Sequence, residues 1–586
     1  MAGRIDKTSK KALDSTERNE RLIVYQFFPR ILTNTKETPH PWGKLEENGS
    51  GKFNDLTPRL LRSLRELGVN TLWMTGVIEH STKTDFSNYG IIKDHPSIVK
   101  GEAGSPYAIK DYYDVDPALA TDVEDRIDEF RNAVGRIHME GLKVLIDFVP
   151  NHTARVYHSD KAPEGIKDFG ATDDSTKFFS PSNNYYYIVN QKFSPEIDLN
   201  GEDGPYIEFP AKATGNDCFS AFCGRNDWYE TVKLNYGKDY GDGSEHFEPI
   251  PDTWMKMLHI LRYWASMGVD GFRCDMVFMV PLPFWHWVIP QVKKDYPEII
   301  FIGEIYDVKL YSPFIEYGCF DYLYDKVNLY DTLVGIERQN YSAARLTDCW
   351  KAVDGLGDRM LNFLENHDEV RFASTEFAND PTRIIPHLIV SSMISKGPFM
   401  IYYGQEFGER GEEDEGFAGH NHRTTIFDYW SLDSLRRWYN DGKISHEKLT
   451  AHERWLHGFY KKALTMCNAL PALRAGSFFD LMYVNLNEEG FDPHSLFCWL
   501  RYCEEEALLL LVNFSREGRE ARVNIPELAF EMAMLEEREL NTEDLLWGQP
   551  ITISLRREAP IKLRIEASNA IIIRLRSCSI RKTTLN

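Results

Sequence analysis

Cysteine is scarce in this sequence: nine residues in 586, an odd number, and no C-x-x-C pair. That excludes a disulfide framework and fits a reducing compartment. Cys218 and Cys223 are near enough in sequence to bridge, with a pair of buried thiols as the other reading. Long apolar runs are missing too. No stretch of about 18 apolar residues exists for a membrane span, and the N-terminus, MAGRIDKTSKKALDSTERNERL, lacks the apolar core of a secretory signal. A soluble, cytoplasmic protein is expected, although a mature secreted form would read the same way. Positive charge is in deficit. With 67 Lys and Arg against 89 Asp and Glu, the net charge of −22 argues against nucleic-acid or anionic-membrane partners. Internal repeats and low-complexity tracts are absent.

What is present is a rhythm. The chain exceeds what one hydrophobic core supports, so two or three domains are expected. Leu22–Phe28 (LIVYQFF) reads as a buried strand, followed by a helix over Leu56–Leu67 and a strand over Val69–Thr75. Thr121 and Glu124 are spaced as a capping box before a helix whose apolar residues are Val123, Ile127, Phe130, Val134 and Ile137. Leu142–Val149 is the third strand. The alternation continues through strands at Val269–Asp275, Ile299–Glu304, Cys319–Leu323, Met360–His367 and Pro398–Tyr403. Eight strand-then-helix units predict an α/β fold of the (β/α)8, or TIM, barrel type. Only residues 151–250 break the rhythm, and a structureless loop of that length is implausible, so they predict an inserted small domain. The expected division is a polar segment 1–20, a barrel from 21–150 and 251–475, the insertion 151–250, and an antiparallel C-terminal β-sandwich domain 476–586.

Polar groups at the C-terminal ends of barrel strands form the active site of such folds. Three of these strands run into acids: VDGFRCD reaches Asp275, IIFIGE reaches Glu304, and LNFLENHD reaches Asp368. The third strand adds Asp147, Asn151 and His152. One acid alone reads as a helix cap or a turn residue. Three on one rim repel one another and need a compensating function. Residues two apart on a strand share a face, so Arg273 is expected beside Asp275, holding it ionised. Glu304 on the next strand, close to that charge, is expected to rise in pKa and donate a proton. Such a pair is the machinery of a retaining glycosidase.

DFVPNH, GFRCD, GEIYD and FLENHDEVR, in this order, closely resemble the four sequence regions of the α-amylase family of glycoside hydrolases. VYQFFPR, SPYAIKDYYDVDP, VKLNY and PFMIYYGQEFGE agree, and the resemblance covers roughly residues 20–475. It implies Asp275 as nucleophile, Glu304 as acid/base and Asp368 as the acid that distorts the bound sugar. Tyr107 would stack on that sugar, His152 and His367 would bind its hydroxyls, and Arg273 would orient Asp275. The insertion would be the family's lid-like domain. No cofactor is implied for the chemistry. Asn151 matches a structural calcium ligand of many members, with hydrogen bonding inside the loop as the other reading of that residue.

Departures from the family pattern bear on the substrate. Where typical α-amylases carry a Lys-His pair after the nucleophile, this chain has Phe278 and Met279; where chain-end-cleaving members carry a blocking Asp before the stacking Tyr, it has Gly104. An open-ended cleft is therefore expected. Lys233-Leu234-Asn235 is similar to the element of neopullulanase-type members, which take α-1,4 and sometimes α-1,6 bonds. The resemblance implies hydrolysis of mainly α-1,4 bonds in maltodextrins or starch fragments. A 4-α-glucanotransferase and an inactive amylase-like binding or transport partner are the alternatives.

Overall fold

The computed structural model describes residues 20–201 and 204–577. Most of the polar N-terminal segment 1–20 and the last nine residues lie outside the described residues. Eight parallel strands close into a barrel in chain order: β1 (Ile23–Phe27), β2 (Thr71–Met74), β3 (Lys143–Phe148), β4 (Gly271–Cys274), β5 (Ile300–Gly303), β6 (Tyr322–Tyr324), β7 (Met360–Phe363) and β8 (Phe399–Tyr402). Every strand position except Lys143, Ile300 and Tyr322 is buried, as expected when helices cover a parallel sheet.

The surrounding helices start and stop where local chemistry requires. Helix α1 (Pro58–Glu66) opens on Thr57, whose hydroxyl accepts the Leu60 N–H, with Pro58 in the first turn where its missing donor costs nothing. It ends before Gly68, whose φ is +104° and whose position leaves no room for a Cβ against the backbone of Leu464 and Thr465. Helix α2 (Arg126–Met139) corrects the expected start. Thr121 and Glu124 form no cap, because the chain between them and the helix is a turn. The carboxylate of Glu129 reaches back instead, accepting the N–H groups of Thr121 and Asp122, each at 2.8 Å. A capping box does form at Thr450 and Glu453, on helix α3 (Ala451–Ala469). The sixth strand also begins later than expected: Cys319 has φ +67°, and the Asp321 carboxylate accepts the Phe301 N–H, so pairing starts only at Tyr322.

Between β3 and the helix Asp252–Ser266 the chain leaves the barrel and forms three two-stranded pairings. His152–Ala154 pairs with Thr231–Lys233, Tyr187–Ile188 with Ala211–Lys212, and Asn200–Gly201 with Gly204–Pro205. This stretch has a small core of its own around Ile188, Phe193, Ala221 and Tyr229. Cys218 and Cys223 are both free thiols here, Cys223 buried. After α3 the chain turns to antiparallel pairing. Ser477–Asp480, Leu496–Tyr502, Glu506–Asn513 and Asn569–Ser577 form one four-stranded sheet, with two further strand pairs beside it. Arg501 on that sheet, 1% exposed, donates to the carbonyls of Ile394, Leu473 and Gly476, which fastens the sheet beneath the barrel's last units.

Candidate active site

Register assembles the site. On neighbouring strands Arg273 lies opposite Asp147 of β3, and Cys274 lies opposite Gly303 of β5. One residue further, just past the strand ends, come Asp275 and Glu304. The ladder carries on into them: the Asp275 N–H donates to Phe148 O at 2.9 Å and the Glu304 N–H to Cys274 O at 3.0 Å. Both acids are thereby held by backbone rather than by flexible loops.

Arg273, 0% exposed, spans the two. Its Nη1 lies 2.7 Å from Asp275 Oδ1 and its Nη2 2.5 Å from Glu304 Oε1, an ion pair whose angle falls outside hydrogen-bond geometry. Nη1 also stands 3.5 Å from Asp147 Oδ1, while Trp73 donates to the other Asp147 oxygen at 3.0 Å. Glu304 further accepts the Met276 N–H at 2.9 Å and the Tyr306 hydroxyl at 2.5 Å. Asp368 comes from beyond β7, in a turn held by Asn366, whose side-chain oxygen accepts the N–H groups of Asp368 and Glu369. His367 Nε2 is 3.0 Å from Asp368 Oδ2 and 2.5 Å from the Tyr107 hydroxyl, and its Nδ1 is 2.8 Å from the Gln26 amide nitrogen. Tyr107 and His367 stack with ring centres 5.3 Å apart.

The electrostatics differ from the simple expectation. Burial, together with the charge of Glu304, pushes Asp275 well above the usual carboxylate range, and Arg273 only partly offsets this. A guanidinium shared with a second buried carboxyl does not by itself hold Asp275 down. Burial likewise raises Asp147 to about 6. Asp368 goes the other way. Its surroundings penalise the charge, but His367, Arg273 and Arg423 outweigh them and pull it down to about 2. Its side chain is 41% exposed, so it faces the cleft already charged. Burial and the nearby Lys233 cation lower His152 to about 3, which keeps it neutral at working pH.

These groups line a cavity of about 280 Å³, bounded by Tyr107, His152, Asp275, Glu304 and Asp368 together with groups that the sequence did not single out. Trp228 packs beside His152 with ring centres 5.2 Å apart. Lys100 and Glu230 form an ion pair of 2.9 Å that joins the loop before Tyr107 to the insertion. Tyr306 sits within GEIYD, two residues after the acid; that spacing on a strand end was the available signal for it. Trp228 and the Lys100–Glu230 pair had none, being brought in by loops.

Two expectations are corrected. Asn151 is fully buried but does not fit a calcium ligand. Its side-chain oxygen accepts from Lys233 Nζ at 2.5 Å and its amide donates to Gly215 O at 2.7 Å. The Lys233 ammonium also donates to Met279 O at 3.1 Å and pairs with Asp217 at 2.6 Å. A fixed cation already holds this corner, so hydrogen bonding inside the loop is the correct reading of Asn151. Gly104 is a glycine for a backbone reason. Its φ is +83°, and a Cβ would fall 1.7 Å from Ser81 O. A side chain there would run into the hairpin, so this position carries no information on whether the cleft is open-ended.

A family model described as the catalytic domain of α-amylase matches residues 26–458. The chain is similar to α-amylase 2 of Dictyoglomus thermophilum, 22% identical over 513 residues, covering 86% of this chain and 71% of the relative. It is also similar to the α-amylase of Streptomyces lividans, 25% identical, covering 93% of this chain and 58% of that protein. A third relative is the cyclomaltodextrinase of Thermoanaerobacter pseudethanolicus, 23% identical, covering 70% and 63%. The chain thus spans less than two thirds of the last two relatives. Among solved structures, the maltogenic α-amylase AmyB of Thermotoga neapolitana aligns with a TM-score of 0.59 at 20% identity over 95% of this chain and 99% of that one, a likeness of fold.

Proposed function

The chain belongs to the α-amylase family of glycoside hydrolases, and from that premise we propose that it cleaves α-glucosidic, mainly α-1,4, bonds of maltodextrins with retention of configuration. The observation that carries this reading is the single Arg273 guanidinium placed against both Asp275 and Glu304. One guanidinium in contact with both acids sets them side by side, the arrangement in which one carboxyl attacks and the other donates a proton in a double displacement. Asp275 attacks the anomeric carbon and forms the glycosyl–enzyme ester while the proton of Glu304 passes to the departing oxygen. Glu304 then takes a proton from water as its oxygen attacks the same carbon, and Asp275 leaves as carboxylate. Asp368, charged and facing the cavity, stabilises the positive charge that develops on the sugar ring. Tyr107 is the stacking platform and His152 binds a hydroxyl, while His367, whose ring nitrogens are taken by Tyr107, Asp368 and Gln26, positions Tyr107 and Asp368.

We read residues 21–150 and 251–475 as the catalytic barrel, 151–250 as a lid over the cleft and 476–586 as the C-terminal β domain. A second reading, transfer of the glycosyl group to a sugar acceptor, is favoured by the aromatic pair Phe278 and Tyr306 beside Glu304. Their ring centres are 6.1 Å apart and Phe278 is 37% exposed, a platform on which an acceptor sugar can stack. Product analysis on maltoheptaose, pullulan and cyclodextrins tests both. Shorter maltodextrins alone support hydrolysis, products longer than the substrate support transfer, and no change in any of the three overturns the proposal.

A further inference from the structure

The hairpin of Ile78–His80 with Ile109–Val115 carries a second set of acids away from the catalytic rim. Glu79 and Asp111 are register partners on it, and Asp114 lies further along the second strand. Asp160, from the insertion, completes the group. One carboxylate oxygen of each lies within 4.8 Å of the others. Glu79 is 1% exposed and Asp111 and Asp114 are 0% exposed, whereas Asp160 reaches solvent.

Three of the four have visible partners. Arg126 binds Asp114 Oδ2 through Nε at 2.8 Å and Nη2 at 2.6 Å and touches Asp160 at 3.3 Å. Asp111 accepts the N–H groups of Tyr113, Asp160 and Lys161. The neighbouring Lys110 is turned to Asp94, 3.0 Å away. Glu79 has no hydrogen-bond partner on either oxygen, although both are buried, and the charge of Lys110 offsets its burial only in part. An unpaired buried carboxyl costs far more than a satisfied one, so something absent from the protein's own side chains must neutralise it. Burial and the charges of Asp111 and Asp114 push the Glu79 carboxyl well above its usual range. Either a proton or a cation provides the relief.

We propose that Glu79, Asp111, Asp114 and Asp160 form a binding site for a calcium-type divalent cation. The donors are all carboxylate oxygens, with no sulfur or imidazole, which selects a hard ion over zinc or copper. Four carboxylates and one guanidinium leave a net negative charge that a dication largely offsets. Asp160, whose side chain is 19% exposed, lies at the surface side of the group, where water would complete the coordination shell. Because Asp160 comes from the insertion and the hairpin leads directly to Tyr107, a bound ion would tie the insertion to the loop that presents the stacking ring.

The experiment is isothermal titration of the full-length, chelator-stripped protein with CaCl2, together with melting curves in CaCl2 and in EDTA. Wild type should bind one ion per chain and melt higher with calcium, by an amount that saturates. In E79Q binding should be lost. In D160N, altered at the least buried of the four ligands and so expected to fold, affinity should fall at least tenfold. No binding by wild type at millimolar CaCl2, or binding unchanged in both variants, overturns the site. So does an E79Q protein that melts at or above the calcium-loaded wild type, because glutamine reproduces a protonated carboxyl.

Discussion

The ammonium of Lys233 lies 2.5 Å from the side-chain oxygen of Asn151, and both residues are buried. The same ammonium holds Met279 O, four residues after the candidate nucleophile, and Asp217 of the insertion. One charge thus fastens the ends of two barrel strands to the insertion. Lys233→Met should therefore destabilise the protein by on the order of 3 kcal/mol, since it leaves buried acceptors and a carboxylate without their cation. It should also lower kcat, because the loop after Asp275 loses its anchor. Urea denaturation and steady-state kinetics check both effects, and a neutral variant would show that Lys233 is merely accommodated there.

The two carboxylates should separate by leaving group. Glu304→Gln keeps the shape and removes the proton, so maltodextrin cleavage should fall by at least about 100-fold. An activated maltosyl fluoride, which needs no protonation, should still form the covalent intermediate. Asp275→Asn should be inactive on both, as no ester can form. Circular dichroism must show both variants folded. Equal loss of both activities in Glu304→Gln would contradict its role as proton donor.

Stereochemistry follows from the same pair. Two carboxyls in contact with one guanidinium lie close together, as a double displacement requires, so the first product anomer should be α. NMR of freshly released sugar reads this within minutes, before mutarotation. An initial β-anomer would remove the double displacement.

Stability should depend on pH through buried acids outside the site. Glu406 is 1% exposed, accepts the Tyr25 hydroxyl at 2.7 Å, and is raised by burial to about 7. Its unfolded value is about 4.3. Between these two values the folded protein keeps a proton that the unfolded chain has lost, so stability falls as pH rises from about 4.3 to about 7 and then levels. Glu406→Gln removes that slope. Relative to wild type, its melting temperature should climb across this window, with a gain on the order of a few kcal/mol at neutral pH. A difference independent of pH would place the proton elsewhere.

Much of this molecule was determined by the sequence alone. Apolar runs of strand length alternating with helical periods specify a parallel barrel, because only helices on its outer face can bury such strands on both sides. The positions of Asp275 and Glu304 follow from there, since residues just past a strand end must face the βα loops. Arg273 beside Asp275 follows from the two-residue period of a strand. Tertiary structure decided what depends on partners distant in sequence. Whether Arg273 serves one acid or two depends on strand register, which no local pattern encodes. Asn151 reads equally as a metal ligand or a loop residue until Lys233, 82 positions away, is seen to hold its oxygen. Glu79, Asp111, Asp114 and Asp160 are unremarkable in the chain, because a carboxylate's environment is set by what folding places around it: burial removes its water, and only three-dimensional neighbours can replace it.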